Sequence, residues 1–405
     1  MRSTRILVHD YSGHPFQVQL SRNLASRGHE VIHLYSQSML TPQGALARTD
    51  ADPPTLRLAG IRLSAVIDKK AYLQRYLQER RYGELLAREI RDYLPDVVVS
   101  GNSPLDAQAA AIRAAESIDA RFVFWLQDVQ GIAIERVLGA RLGLLGRLVG
   151  RHYKRVEQRL LRASHAVVAI SEDFTGILRQ WGVDEKCVHV IPNWASTAEL
   201  PERAKDNPWA RAQGLADKFC FLYSGTLGMK HNPDLLLQLA LQYRDDESTV
   251  VTVVSEGAGA QWLEQRRAEL GLRSLRVLPF QPYADLPDVM GGADVLVAIL
   301  EPDAGVFSVP SKVLSYLCAG RALLAAVPAE NLATRTILRS GAGVVVSPRD
   351  LPTFLREADA IKSDSARRRA MGRNALRYAG ETFDIDKIAD QFEAIFESVS
   401  GVNRP

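Results

Sequence analysis

The feature that most constrains this chain is a rhythm. Short runs of Val, Ile, Leu and Phe recur along it, separated by segments of helical period, and the series occurs twice. A run that is apolar at every position suits a strand covered on both faces. That is the strand of a parallel sheet between helix layers, not of an antiparallel sheet with one wet face. The first series predicts strands over 5–9, 31–35, 97–100, 122–125, 165–170 and 188–191, with a loop over 10–15 and a helix from Phe16 to about Arg27 stopped by Gly28. The second predicts strands over 219–223, 249–254, 275–278, 295–300, 322–326 and 343–346, a helix from Asp234, and a tail that reads as helical from 363 to 399. The segment 195–218 breaks the rhythm: it is polar, carries Pro201 and Pro208, and reads as an interdomain linker. The fold class is therefore α/β, two doubly wound Rossmann-like domains facing a central cleft. The domains are expected over 1–200 and 201–382, with a last helix at about 383–400 packing back on the first. Ligands should sit outside the carboxyl ends of the strands, and the 195–218 connection and the final helix are hinge candidates for domain closure.

The length, 405 residues, supports two full cores. Apolar residues at 46% and charged residues at 24% exclude a largely disordered chain. Lys plus Arg exceed Asp plus Glu by 50 − 47 = 3, which gives no charge argument for nucleic acid. Cys187, Cys220 and Cys318 are too scattered for a zinc pair or a disulfide framework. No apolar core of signal-peptide length follows Arg2 and Arg5, and the apolar runs fall far short of the roughly 18 residues of a membrane span. A cytoplasmic protein is expected, free or lying on the inner face of the membrane.

Four local features can carry chemistry. In 223–233, a strand runs into Gly225, Gly228 and Lys230 just before a helix whose first turn holds Pro233. Free amides with one lysine suit a phosphate; the alternative is an ordinary turn with a solvated lysine. The spacing is neither that of a Walker loop nor of the dinucleotide fingerprint. In 308–320, Pro310 and Ser311 start a helix that Gly320 stops, so its amino end and Lys312 could hold a second phosphate, or merely cap a core helix. Gln127 and Asp128 end a first-domain strand, where Asp128 can face a ligand or cap the next helix; Gly13 and His14 share that rim. No nucleophilic triad, HExxH sequence or metal cluster appears, so hydrolase and metalloenzyme readings lack support. The stretch 121–162 holds nine Arg or Lys against Asp128, Glu135 and Glu157, interleaved with leucines. It reads either as a basic amphipathic helix resting through 136–162 on anionic lipid, or as a solvated face over a core stripe.

Taken together, the residues resemble a retaining glycosyltransferase of family 4 with the GT-B architecture. The resemblance spans nearly the whole chain: Gly28-His29-Glu30-Val31, the run 163–172, Val188 to Asn193, the Gly225/Lys230 loop, Phe280 to Pro287 and Gly292 to Val295. Gln127-Asp128, Asn193-Trp194 and Pro310-Ser311-Lys312 ahead of Ala319-Gly320-Arg321 resemble the fucosamine-transferase-like branch of bacterial capsule, O-antigen and exopolysaccharide synthesis. The resemblance implies a nucleotide-sugar donor, UDP-linked by preference, a lipid-linked or glycan acceptor, and no required metal or other cofactor. It implies Lys230 on the donor diphosphate as the leaving group departs. Gly13, Gly225 and Thr226 would lie near the phosphates, Thr226 standing where many relatives have arginine. Glu256, Phe280, Gln281, Ser311, Lys312 and Ser315 would be further donor contacts. Asp128 would face the transferred sugar, and His14 and Gln127 the acceptor. The paired glutamates of many relatives are missing: their positions are Phe307 and Ser315, and Glu301 is out of register. A 2-epimerase of sugar nucleotides, and a binding protein that has lost chemistry, are the other two readings.

Overall fold

A computed structural model of the chain describes residues 3–38, 44–63, 72–301 and 311–401. Phe307 and Pro310, singled out above, lie outside the described residues. The chain forms two compact units, Met1–Asn193 with Ile385–Pro405, and Trp194–Asp384.

The first unit runs β1 (Arg5–Asp10), α1 (Pro15–Ser26), β2 (Glu30–Ser36), β3 (Leu56–Ile61), α2 (Tyr72–Tyr93), β4 (Val97–Gly101), α3 (Leu105–Ser117), β5 (Arg121–Leu126), α4 (Gln130–Ala163), β6 (Ala166–Ala169), α5 (Thr175–Gln180) and β7 (Val188–Val190). Its seven strands are all parallel, ordered β3-β2-β1-β4-β5-β6-β7, with Val8 opposite His33 on one side and Val99 on the other. The apolar runs are strands buried on both faces, as their composition requires: Ile6, Leu7, Val8, Val97, Val98 and Val99 have no exposed surface. β3 has no such run and escapes a search for one. It is an edge strand, where only Leu56 and Ile61 are buried.

The second unit continues with α6 (Pro208–Ala212), β8 (Phe219–Ser224), α7 (Asp234–Gln242), β9 (Thr249–Val254), α8 (Ala258–Leu270), β10 (Leu275–Leu278), α9 (Leu286–Gly291), β11 (Val295–Ile299), α10 (Ser311–Cys318), β12 (Ala322–Ala326), α11 (Leu332–Ser340), β13 (Gly343–Val346), α12 (Leu351–Ser363) and α13 (Ser365–Thr382). Its sheet is again all parallel, in the order β10-β9-β8-β11-β12-β13. In both sheets the order reverses beside the first strand, between β1 and β4 and between β8 and β11. Such switch points leave a crevice at the carboxyl ends of the strands.

Two expectations need correction. The 195–218 segment is not a loose linker. Trp194, Leu200, Trp209, Ala210 and Leu215 are buried in the second unit, Asn207 caps α6 through Ala210 N (2.9 Å), and its amide donates to Asp288 O (2.9 Å). Its anchors are isolated residues without period, so periodicity misses them. The helical tail is divided. It breaks after α13, and the last helix, α14 (Ile385–Ser400), belongs to the first unit. There Arg27 on α1 reaches Asp390 (2.5 Å) and Glu393 (2.6 Å), and the Phe392 and Trp125 rings meet at 4.9 Å.

The second correction concerns the basic stretch. α4 reverses at Gly143 (φ 57°, ψ −128°) and folds back on itself as a helical hairpin. The seam is made of glycines: a Cβ at Gly146 would lie 1.9 Å from Leu138 O, one at Gly150 2.3 Å from Glu135 Cα, and one at Gly131 2.6 Å from Lys154 Cα. Only residues without side chains let the two arms approach so closely. Among the described residues, no helix is long and apolar enough to cross a membrane.

Candidate functional site

In the first unit, the carboxyl ends of β1, β4 and β5 frame a polar cavity of about 300 Å³, lined among others by Ser12, His14, Asn102, Gln127, Asp128 and Gln130. β1 ends in Asp10, fully buried behind Ser12, His14 and Asn102 of the lining. That carboxylate accepts from Ser12 N (3.0 Å), from the His14 amide and imidazole, and from Asn102 Nδ2 (3.4 Å). The turn that brings these donors around passes through Gly13 at φ +74°, a conformation that favours glycine. Burial works against the Asp10 charge, but the His14 hydrogen bond and the charges of His14 and His33 outweigh it, holding the carboxyl below the ordinary range. Burial likewise opposes the His14 cation; the Asp10 bond and the Asp10 and Asp128 charges overcome it and raise the imidazole.

Asp128 sits at the mouth of this cavity. Its outer side meets solvent, while crowding by the walls pushes its carboxyl up to about 6 against the pull of His14. Gln127 forms a two-way amide pair with Asn193 (3.2 and 2.6 Å). Two buried polar atoms in the cavity wall, Ser103 Oγ and Gln108 Oε1, have no hydrogen-bond partner, so the cavity still offers acceptors and a hydroxyl to a polar ligand. Glu157 on the second arm of α4 accepts from Gln130 N (3.0 Å) and Gly131 N (2.7 Å), bracing the segment that follows Asp128; burial raises it to about 7.

In the second unit, β8 runs into Gly225, which turns at φ +130° and donates to Val254 O (3.0 Å). A side chain on Gly225 would press on the Lys312 ammonium at 3.4 Å. Lys312 lies 3.9 Å from the centre of the Tyr223 ring and donates to the Tyr223 hydroxyl; that hydroxyl in turn donates to Thr226 O (2.9 Å). Burial lowers Lys312 to about 7. Tyr316 on α10 pins the end of β8, accepting from Ser224 N (2.8 Å) and donating to Ser224 O (3.1 Å). Ser315 is half-buried beside it, and Ser311 is exposed at the start of α10.

Lys230 lies in a 3₁₀ turn, Met229–His231, its exposed ammonium 3.1 Å from Glu301 just past β11. Asn232 (φ 54°) leaves that turn in a left-handed conformation before Pro233 starts the next helix. Lys230, Lys312 and Gly225 thus gather at the carboxyl ends of β8 and β11, an arrangement suited to an anion. Glu256 is exposed after β9, its carbonyl facing Leu227 N at 3.5 Å. Phe280 and Gln281 follow β10, but the Gln281 side chain is engaged within the fold: it accepts from Trp209 Nε1 (3.0 Å) and donates to Pro279 O (2.9 Å). A hollow of about 730 Å³ along edge strand β10, lined by Lys218, Arg267, Arg273 and Arg276, shares no residue with this cluster.

Sequence reasoning missed Asp10, Asn102, Glu157 and Tyr223, and set Glu301 aside as out of register. Asp10 carried a signal, an acid at a strand's carboxyl end before a Gly turn. The others are joined to their partners only by long-range contacts. Among the described residues, no group of three or more His, Cys, Asp or Glu is placed to hold a metal ion.

Residues 14–194 match the family model described as glycosyl transferase 4-like domain, and residues 206–378 that of glycosyl transferases group 1. The "Putative colanic acid biosynthesis glycosyl transferase WcaI" of Escherichia coli (strain K12) is 25% identical over 313 residues, 75% of this chain and 74% of that protein. The "Probable glycosyltransferase WbjE" of Pseudomonas aeruginosa is 23% identical over 269 residues, 66% of each. Among solved structures, Anabaena HepE in complex with UDP and glucose has a TM-score of 0.71 at 16% identity, covering 98% of this chain and 100% of that one. The sucrose-phosphate synthase of Thermosynechococcus elongatus has a TM-score of 0.73 at 17% identity, covering 98% and 99%.

Proposed function

The chain belongs to the GT-B glycosyltransferases of polysaccharide biosynthesis that join a glycosyl transferase 4-like domain to a group 1 domain, and from that premise we propose that it moves a sugar from a UDP-linked donor to a lipid-linked or glycan acceptor with retention of configuration. The observation that carries the donor half is the meeting of Lys230, Lys312 and Gly225 at the carboxyl ends of β8 and β11. Solved relatives of the same fold carry UDP or UDP-glucose, which supports the choice of nucleotide.

On this reading Lys230 neutralises the diphosphate as the bond from the sugar C1 to phosphate oxygen breaks. Glu301 holds the ammonium in place until an anion displaces it. Lys312, supported by Tyr223, meets the same anion from the α10 side. The new bond from C1 to the acceptor oxygen forms on the face the phosphate leaves, and the acceptor's proton passes to the departing phosphate oxygen. Asp128, ionised at neutral pH, stabilises positive charge developing on the sugar ring. The protein then supplies orientation and fixed charge more than proton transfer. Glu256, the backbone at Phe280 and Gln281, Ser311 and Ser315 complete the donor contacts, and Gln127 and His14 orient the acceptor.

One observation favours a second reading. His14 and Asp128 line one cavity, and the buried Asp10 backs His14 at 3.4 Å, an acid–base set that a sugar-nucleotide 2-epimerase would need. Incubation with labelled UDP-sugars and membranes separates the readings. Labelled lipid or glycan with the anomeric configuration retained supports transfer, free epimer supports the second, and binding without turnover defeats both.

A further inference from the structure

The sequence left the basic stretch open between a lipid-facing helix and a solvated face over a core stripe. The hairpin removes both simple forms. Because glycines make the seam between its arms, the leucines near the reversal are not used to hold the arms together. Leu142 is 59% exposed, Leu144 77%, Leu145 72% and Leu148 60%, and Val137 and Val149 add to the same apolar end. Farther along the second arm, Glu157, Leu160 and Leu161 are buried in the unit, and Tyr153 donates to Asp106 (2.9 Å). The base is therefore anchored while the tip is bare, and the stretch cannot lie flat along a surface over its whole length.

We propose that the tip of the α4 hairpin is a membrane wedge for anionic bilayers. Leu142, Leu144, Leu145 and Leu148 enter the boundary between headgroups and acyl chains, while the arginines around them meet lipid phosphates. Charge selects this occupant. Residues 136–155 hold Arg136, Arg141, Arg147, Arg151, Lys154 and Arg155, with no Asp or Glu among them. A second copy of the chain would bring the same positive charge against it, which disfavours self-association. Bare leucines stand on both sides of the reversal at Gly143 with arginines beside them, so the tip suits a deformable, negatively charged surface. The inference does not rest on the transfer reading, because the binding needs neither donor nor acceptor.

The test is co-sedimentation of the full chain with vesicles of phosphatidylcholine alone, or mixed with phosphatidylglycerol. The wild type should bind the anionic vesicles, bind neutral ones weakly, and be released by high salt. L144D/L145D should weaken binding about tenfold or more while leaving the melting temperature unchanged, since both side chains are exposed. R136Q/R141Q/R147Q should remove most of the salt-sensitive part. Failure of the wild type to bind anionic vesicles would overturn the proposal, as would L144D/L145D binding them equally well. So would a wild-type dimer in analytical ultracentrifugation that L144D/L145D converts to monomer without any vesicle binding.

Discussion

The two units share one sheet architecture but handle charge in opposite ways. The first buries it: Asp10, His9, His33 and Glu157 have no exposed surface; burial acts on the protonation of all four, and the charges of Asp10 and the histidines act on one another. The second keeps an almost wholly apolar core around β8, β9 and β11, with Lys230 exposed on a tight turn and Lys312 half-buried at a helix start. A buried acid–imidazole network tunes proton affinity and orients hydroxyls. On the proposed function, cations at the rim would bind an anion and release it again. One fold, used twice, thus divides the labour through what it puts at the carboxyl ends of its strands.

The sharpest way to break this comparison is Lys230→Ala. If rim charge carries leaving-group stabilisation, sugar transfer should fall in kcat/KM by an amount equal to about 2–4 kcal/mol of barrier, measured with labelled donor. Full activity in this variant would end the division of labour. Asp128→Asn tests the other side. Transfer should drop on the order of a hundredfold. Burial holds this carboxyl near 6, above its unfolded value, so its charge costs stability at any pH above that value. The melting temperature at pH 7 should therefore stay level or rise, and a lowered one would show the residue to be structural.

His33 sharpens the contrast in stability. It is fully buried, its Nδ1 is 2.9 Å from Ser21 Oγ, and burial pushes its pKa down to about 4. A group depressed in the folded state is neutral there, so its contribution is intact above its unfolded pKa and is lost as pH falls below it. His33→Gln should narrow the loss of stability between pH 7 and pH 5 by about 2 kcal/mol, read by urea unfolding at both values. The smallest effect concerns Lys312, lowered to about 7 by burial. A bound diphosphate should raise it, so UDP binding takes up a proton and weakens, about tenfold at most, as pH climbs above 7. Lys312→Met should flatten that dependence in calorimetric titrations.

Much of this organisation is legible along the chain because its causes are local. Twelve of the thirteen strands announce themselves as short runs dominated by apolar residues, the pattern that burial on both faces favours. The turn at Gly225 and the lysine after it are visible for the same reason. The edge strand β3 was hidden, since an edge is only partly covered. Gln281 was read through its motif, and only the packed structure shows its side chain tied to Trp209.

Sequence by itself determined two parallel α/β sheets, their strand positions, and the loops at whose ends chemistry had to sit, because these follow from periodicity and from the backbone freedom of glycine. Tertiary structure alone decided that Lys230 faces Glu301 across 71 positions of chain and that Asn102 joins Asp10 across 92. It alone also decided that Leu142, Leu144, Leu145 and Leu148 of α4 are exposed. Protonation and exposure are set by neighbours in space, and the chain brings those neighbours together only after the sheets have closed over their cores.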